Sequence, residues 1–317
     1  MKQKGFFIFL GYTALLIAFT VYVLLDTFTI TKVYTKVEVP TSTRPTHPTS
    51  PTLGNDPTAP GDNTTDPTAP DGEPVITENS YFDGYISITL TEYREHNTAI
   101  YVADIRITDP LYLKTAFAKD AYGRNIREKT SEMAESHNAI LAINGDYYGS
   151  REKGYVLRNG QLFRSKGSSS REDLVIWPDG SFEIISEKTT SANSLLSAGA
   201  WQVLSFGPAL VQNSKISVDV NEEVGQATYS NPRTAIAIIE EGHYLMVVSD
   251  GRTDRSDGLT LYQLAGFLQS LGATTAYNLD GGGSSTMWFN GRVVNEPVNH
   301  GSTVSERSVS DIVYIGY

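Results

Sequence analysis

Cysteine is absent from the 317 residues. That excludes disulfides, thiolate metal sites and thiol catalysis. Histidine is scarce: five residues, at 47, 96, 137, 243 and 300, with no HxH or HExxH spacing among them. The usual zinc patterns are therefore missing. Positive charge is in deficit, with a net charge of -11 at pH 7. No basic face is evident, so a nucleic-acid partner is not expected. Neither GxxxxGK[ST] nor GxSxG occurs, which leaves a nucleotide P-loop and a serine-hydrolase elbow without support.

The N-terminus is strongly patterned. Lys2 and Lys4 precede an uncharged run from Phe6 to Leu25. A helix of that length spans roughly 30 Å, the thickness of a bilayer's hydrocarbon core. A secretory signal has a shorter apolar region and a small-residue cleavage site. Asp26 is followed by TFTITKVYTKVEV, which offers no such site. An uncleaved anchor is therefore favoured over a cleaved signal. The basic flank predicts a cytoplasmic N-terminus, with everything after Leu25 outside. An extracytoplasmic chain without cysteine fits a bacterial surface.

Pro40 to Pro74 carries nine of the 14 prolines and repeats DPTAP at Asp56 and Asp66. Such a segment lacks the apolar surface to fold and is biased to extended polyproline II. It reads as a stalk holding a domain away from the membrane. The predicted organisation is an anchor over residues 1–36 (spanning at 6–25), a disordered linker over 37–80 and a working domain over 81–317.

In that domain, short apolar or alternating runs predict strands at 99–107, 113–118, 139–144, 173–178, 181–186, 234–239 and 243–250. Tight turns are expected at Asn159-Gly160, Asp179-Gly180, Glu241-Gly242 and Asn290-Gly291. Residues 129–138 and 259–272 read as helices; in the second, Leu261, Leu264, Ala265, Leu268 and Leu271 share one stripe and Gly272 is a stop. The expected fold class is α+β: a single domain with a substantial, mostly antiparallel sheet and few helices.

Polar residues collect at predicted strand ends. Asn144 and Asp146 follow one strand, Asp250 and Arg252 another, and Asn278 and Asp280 a third. Three carboxylates at three strand ends can converge on one cleft. Each Asp-Gly also has the plain explanation of a turn. Asp280 is different, because Gly281, Gly282 and Gly283 all follow it, and one glycine is enough for a turn. Consecutive glycines can aim backbone N–H groups into an anion-binding nest, with Ser284 and Ser285 as hydroxyl donors. Close packing of another backbone is the structural alternative. Arg233, after Pro232, can grip a phosphate through two parallel hydrogen bonds or form a surface ion pair. Glu306 and Arg307 read as a further charged pair. No cofactor is expected. Calcium at Asp250, Asp254 and Asp257 is the alternative, although their spacing does not match the EF-hand loop.

Taken together, NGDYY (144–148), FGPALV (206–211), NPRTAI (231–236), SDGR (249–252), NLDGGGSSTMW (278–288) and NGRVVNEP (290–297) resemble the phosphodiester glycosidase family. Ala237 departs from a glycine often found there, which should affect packing more than chemistry. The resemblance implies cleavage of the glycosidic C–O bond of a sugar-1-phosphodiester, such as a GlcNAc-1-phosphodiester. It implies Asp280, Asp146 and Asp250 as carboxylate candidates, Asp280 first, with Glu306 in reserve. Arg233, Arg252, Gly281, Gly282, Gly283, Ser284 and Ser285 become phosphate or sugar contacts, and Asn144 and Asn278 orienting groups. The implied partner is a sugar-phosphodiester glycan, with teichoic acids, phosphoglycans or capsular exopolysaccharide as cell-surface examples. Two rivals remain: a non-catalytic glycan-binding or wall-assembly module, and a phosphodiesterase that breaks P–O.

Overall fold

The computed structural model describes residues 2–34, 73–168, 170–220, 229–299 and 303–317. Most of the predicted linker, 37–72, lies outside them. Helix α1, Lys2–Phe28, contains one stretch, Phe9–Phe28, long and apolar enough by length and composition to cross a membrane. A signal sequence would pass the same test.

The rest is mostly antiparallel sheet with three further helices, α2 (Thr130–Ser136), α3 (Ala192–Ser197) and α4 (Leu261–Ser270). The strands form three main sheets rather than one. The largest has nine strands, in the order Lys215–Ile216, Ala209–Gln212, Thr275–Asn278, Arg233–Glu240, His243–Ser249, Thr98–Ile107, Ile86–Glu95, Ser80–Phe82 and Val75–Ile76. Its last strand begins at Val75, ahead of residue 81. A second sheet runs Arg292–Val293, Met287–Phe289, Leu141–Asn144, Asp311–Ile315, Leu113–Phe117. The third runs Gln161–Arg164, Val156–Arg158, Gln202–Leu204, Glu172–Ile176, Phe182–Ser186.

Alternation decides which residues face the core. Ile86, Ile88 and Leu90 point inward from one strand and meet Leu141 and Ile143 of the second sheet and Leu174 and Ile176 of the third. His243–Ser249 is buried along its whole length, because α4 covers the other face of its sheet. Leu261, Leu264 and Leu268 of α4 pack there against Ala235, Ala237 and Val247, each worth about 2 kcal/mol of burial. Thr260 caps this helix by accepting from Gln263 N–H, and Gly272, at φ 92°, ends it. The turn glycines behave as the sequence suggests: Asn290 and Gly291 both take positive φ, 42° and 88°.

These pairings bring the polar strand ends together. Arg233 lies opposite Ser249, Ala235 opposite Asn278 and Ile312 opposite Asn144. The backbone of Asp280 donates to Gly145 O at 3.2 Å, and Asn144 Nδ2 donates to Asp280 O at 2.6 Å. The seam between the first two sheets is where the candidate residues sit.

Candidate active site

A cleft of about 220 Å³ opens at this seam, lined by Asp280, Ser284, Tyr147, Arg127, Arg307 and Ser310 among others. Asp280 is half-buried at its wall. Burial pushes its carboxyl up to about 6, while Ser284, Arg307 and Arg151 pull the other way. It is therefore mostly ionised at pH 7 but close to its titration range.

Part of the glycine run is engaged within the chain itself. Gly282 N–H donates to Pro232 O at 2.8 Å, Ser284 N–H to Gly281 O and Ser285 N–H to Gly282 O. Those donors are spent inside a tight turn, Gly282–Ser284. The glycines instead make room for their neighbours. A Cβ on Gly281 would lie 2.9 Å from Pro232 O, one on Gly283 would lie 2.6 Å from Arg307 Nη2, and one on Gly282 would lie 3.1 Å from Arg252 Nη2. Gly282 also holds φ 63°, where a side chain is strained. Two arginines thus lie against the glycine turn.

The other aspartates are placed differently. Asp146 is fully buried, with Arg158 Nη2 at 2.8 Å; the same nitrogen lies 2.9 Å from buried Asp311. Ser205 N–H and Tyr148 N–H also donate to Asp146. Burial raises its pKa, but Arg158 and the Ser205 N–H outweigh that and hold Asp146 below the usual carboxylate range. Asp311 takes the opposite shift, up to about 7, from burial and the nearby Asp146 charge. This is a structural triad behind the cleft wall. Asp250 is also buried and pushed up to about 6 by burial. It accepts from Asn295 Nδ2, Glu296 N–H and Tyr101 Oη. Asn295 in turn donates to Ser285 O, so Asp250 braces the turn from below. Its oxygens face these donors rather than Asp254 and Asp257. Among the described residues no group of three His, Asp or Glu side chains is placed to hold a metal ion.

Glu306 accepts from Ser131 N–H and Oγ at the start of α2. It caps a helix instead of pairing with Arg307. Arg233 is buried, with Nε on Leu259 O and Nη2 on Tyr229 O, so it braces backbone and does not line the cleft. Arg252 reaches Asn231 Oδ1 at 2.8 Å. Asn278 Nδ2 donates to Gly207 O, and Asn144 Oδ1 accepts from Thr234 Oγ1 and Thr286 N–H. Ser284 borders the cleft, while Ser285 is fully buried behind it.

The cleft's cations come from elsewhere. Arg127 and Arg307 line it. Arg151 is stacked between two rings, 5.6 Å from the Tyr147 centroid and 4.7 Å from that of Phe206. Tyr147 holds φ 66°, an unusual conformation for a bulky residue, and exposes its ring at the cleft. The sequence carried a signal for Tyr147, which follows Asp146 directly, but none for Arg127 or Arg151. Among the described residues the cleft lining thus carries two arginines and one carboxylate, on a protein of net charge -11.

Residues 137–316 match the family model for phosphodiester glycosidases. The chain belongs to that family. Among curated relatives, an uncharacterized SPbeta prophage-derived protein of Bacillus subtilis, YomE, is 30% identical over 201 residues, covering 62% of this chain and 31% of its own length. The mouse N-acetylglucosamine-1-phosphodiester alpha-N-acetylglucosaminidase is 26% identical over 212 residues, covering 62% of this chain and 41% of its own length. The chain therefore spans less than half of these relatives. In fold, the catalytic domain of the zebrafish enzyme of that name superposes with a TM-score of 0.59 at 22% identity, over 73% of this chain and 83% of that one. A hypothetical protein from Synechocystis gives 0.56 at 15% identity, over 73% and 62%.

Proposed function

We propose that this phosphodiester glycosidase hydrolyses the C1–O bond of a sugar-1-phosphodiester, with Asp280 as the base. The observation that carries the reading is the Asp280 carboxylate, the one acid among the described residues that line the cleft, together with Arg307 and Arg127. The arginines suit the phosphate, because a guanidinium offers paired N–H donors to its oxygens. Phosphate is a good leaving group, so a second carboxylate acting as acid is not required, unlike in ordinary glycosidases. In this scheme water adds to C1 and gives its proton to Asp280. The C1–O bond breaks, and its electron pair stays on the phosphate, held by the arginines. The products are the free sugar and a phosphomonoester. The steps invoke water and these residues only.

The apolar helix serves as a single-pass anchor, with Lys2 and Lys4 keeping the N-terminus inside and the domain outside. The substrate is then a surface glycan or phosphoglycan. A rival, non-hydrolytic glycan binding, draws support from the same lone carboxylate. Hydrolysis of a GlcNAc-1-phosphodiester in oxygen-18 water separates the readings. The proposal expects label in the sugar and an unlabelled phosphomonoester. Label in the phosphate would establish P–O cleavage, and binding without turnover across a panel of sugar phosphodiesters would establish the binding module.

A further inference from the structure

The residues that directly follow the apolar helix are bonded to the domain itself. Lys32–Val33 forms a two-stranded sheet with Gly123–Arg124 of the domain. Tyr34 N–H donates to Tyr122 O at 2.8 Å, and the two rings meet at 5.8 Å. Asn125 Nδ2 donates to Thr27 O and Ile30 O, at 3.3 and 3.0 Å. Arg124 Nη2 also reaches Thr27 O. The last turn of α1 and the residues after it are thus bonded to 122–125. Gly123 is fitted to this contact, since a Cβ there would run into the Lys32 carbonyl.

The same stretch borders the cleft wall. Asn125 N–H donates to Gly149 O at 3.1 Å. Gly149 is packed against Ser310, which lines the cleft. Arg127, also in the lining, donates to Ser150 Oγ at 3.2 Å. Two residues, Asn125 and Gly149, link the end of the apolar helix to Ser310 of the cleft.

We infer that Lys32–Val33 moors the cleft at the bilayer surface, and that its substrate is a glycosyl phosphate esterified to a membrane-lipid alcohol. This substrate class rests on the glycosidase reading above; the mooring does not. Hydrolysis adds water to C1 and leaves the lipid as its phosphomonoester, so atoms balance without a further reactant. The docked strand also replaces a loose tether by a fixed placement, which raises the effective concentration of substrate in the same membrane.

The absence of native cysteine makes the mooring directly testable. Lys32→Cys and Arg124→Cys, opposite one another in register, are joined in the membrane-bound full chain by a short, reducible bis-thiosulfonate reagent. A protease site placed within residues 40–70 is then cut. The domain should stay with the membrane until reductant is added, and adding Gly123→Gln should abolish the cross-link. Release of the domain on cutting alone, with no cross-linked product, would overturn the mooring. For the substrate, the full chain in vesicles is given one sugar phosphate as a lipid ester and as a water-soluble ester. The lipid ester should be turned over with roughly 10-fold higher kcat/KM. Tyr34→Pro, which removes the Tyr34 N–H bond to Tyr122 O and the ring contact from the anchor side, should remove most of that advantage and leave the soluble rate unchanged. Equal rates on the two esters, or an advantage that survives Tyr34→Pro, would overturn the lipid assignment. Turnover of neither ester would overturn the hydrolase reading itself, while the cross-link still decides the mooring.

Discussion

Asp146 and Asp280 occupy matching places in the sequence. Each follows an apolar strand, and each stands two residues after an asparagine, Asn144 or Asn278. Their surroundings are opposite. Asp146 is sealed from water and shares one guanidinium nitrogen with Asp311. Asp280 borders an open cleft, where arginines approach from other loops and burial lifts its carboxyl to about 6. The first arrangement fixes charge and geometry. The second keeps a carboxylate near its titration point beside a place for an anion. What separates the two aspartates here is burial and partners: one is sealed in an ion-pair cluster and the other lines a cleft.

Removing the charge at Asp280 should produce the largest effect. Asp280→Asn is expected to lower kcat by roughly 10³-fold, about 4 kcal/mol of barrier, with little change in melting temperature. A rate close to wild type would reduce Asp280 to the status of a turn residue. Arg158→Met should do the reverse. It leaves Asp146 and Asp311 buried without their cation, a loss of about 3–4 kcal/mol in denaturant unfolding. Replacing Asp146 and Asp311 with apolar residues as well should recover most of that loss. Arg307→Lys keeps the charge but not the planar fork, and should cost about 20-fold in kcat/KM on a sugar phosphodiester. A neutral aryl glycoside of the same sugar should be nearly unaffected; equal losses on both would take the phosphate away from Arg307.

A pH-dependent effect comes from another aspartate, Asp173. It is buried, and burial together with the neighbouring Glu187 charge pushes its carboxyl up to about 9. The native state keeps this proton where the unfolded chain loses it above about pH 4. The resulting stability is complete below that pH and drains away as pH rises toward 9. Asp173→Asn is neutral throughout. Thermal unfolding should therefore show a clear gain in melting temperature at pH 8 and none at pH 4. A gain of the same size at both values would point to packing instead of ionisation.

Much of the fold was legible because local rules and tertiary burial agree. The stripe Leu261, Leu264, Leu268 with Gly272 beyond it gave α4, and alternation gave strands such as Thr98–Ile107. Division into three sheets was not legible, since it depends on pairings such as Leu141 with Phe289 and Ile315, far apart in sequence. Helix α3, six residues long, lacks a stripe long enough to recognise. The same strand-end pattern marked Asp280, which lines the cleft, and Asp146 and Asp250, which are buried, because burial leaves no local mark on an Asp-Gly or Gly-Asp step. Arg233 stood out beside a proline and braces backbone carbonyls. Arg127 and Arg307 gave little sign of their place in the lining because they come to the cleft from separate parts of the chain.

The central claim is that a carboxylate at position 280 activates the attack on C1. Its most direct test is hydrolysis of a sugar-1-phosphodiester by folded Asp280→Ala, with and without sodium azide. Azide needs no base to deprotonate it and fits the space of the missing carboxylate. The account predicts negligible turnover in buffer, and turnover restored by azide with a glycosyl azide as product. Turnover in buffer within about threefold of wild type, with no glycosyl azide formed, would contradict it.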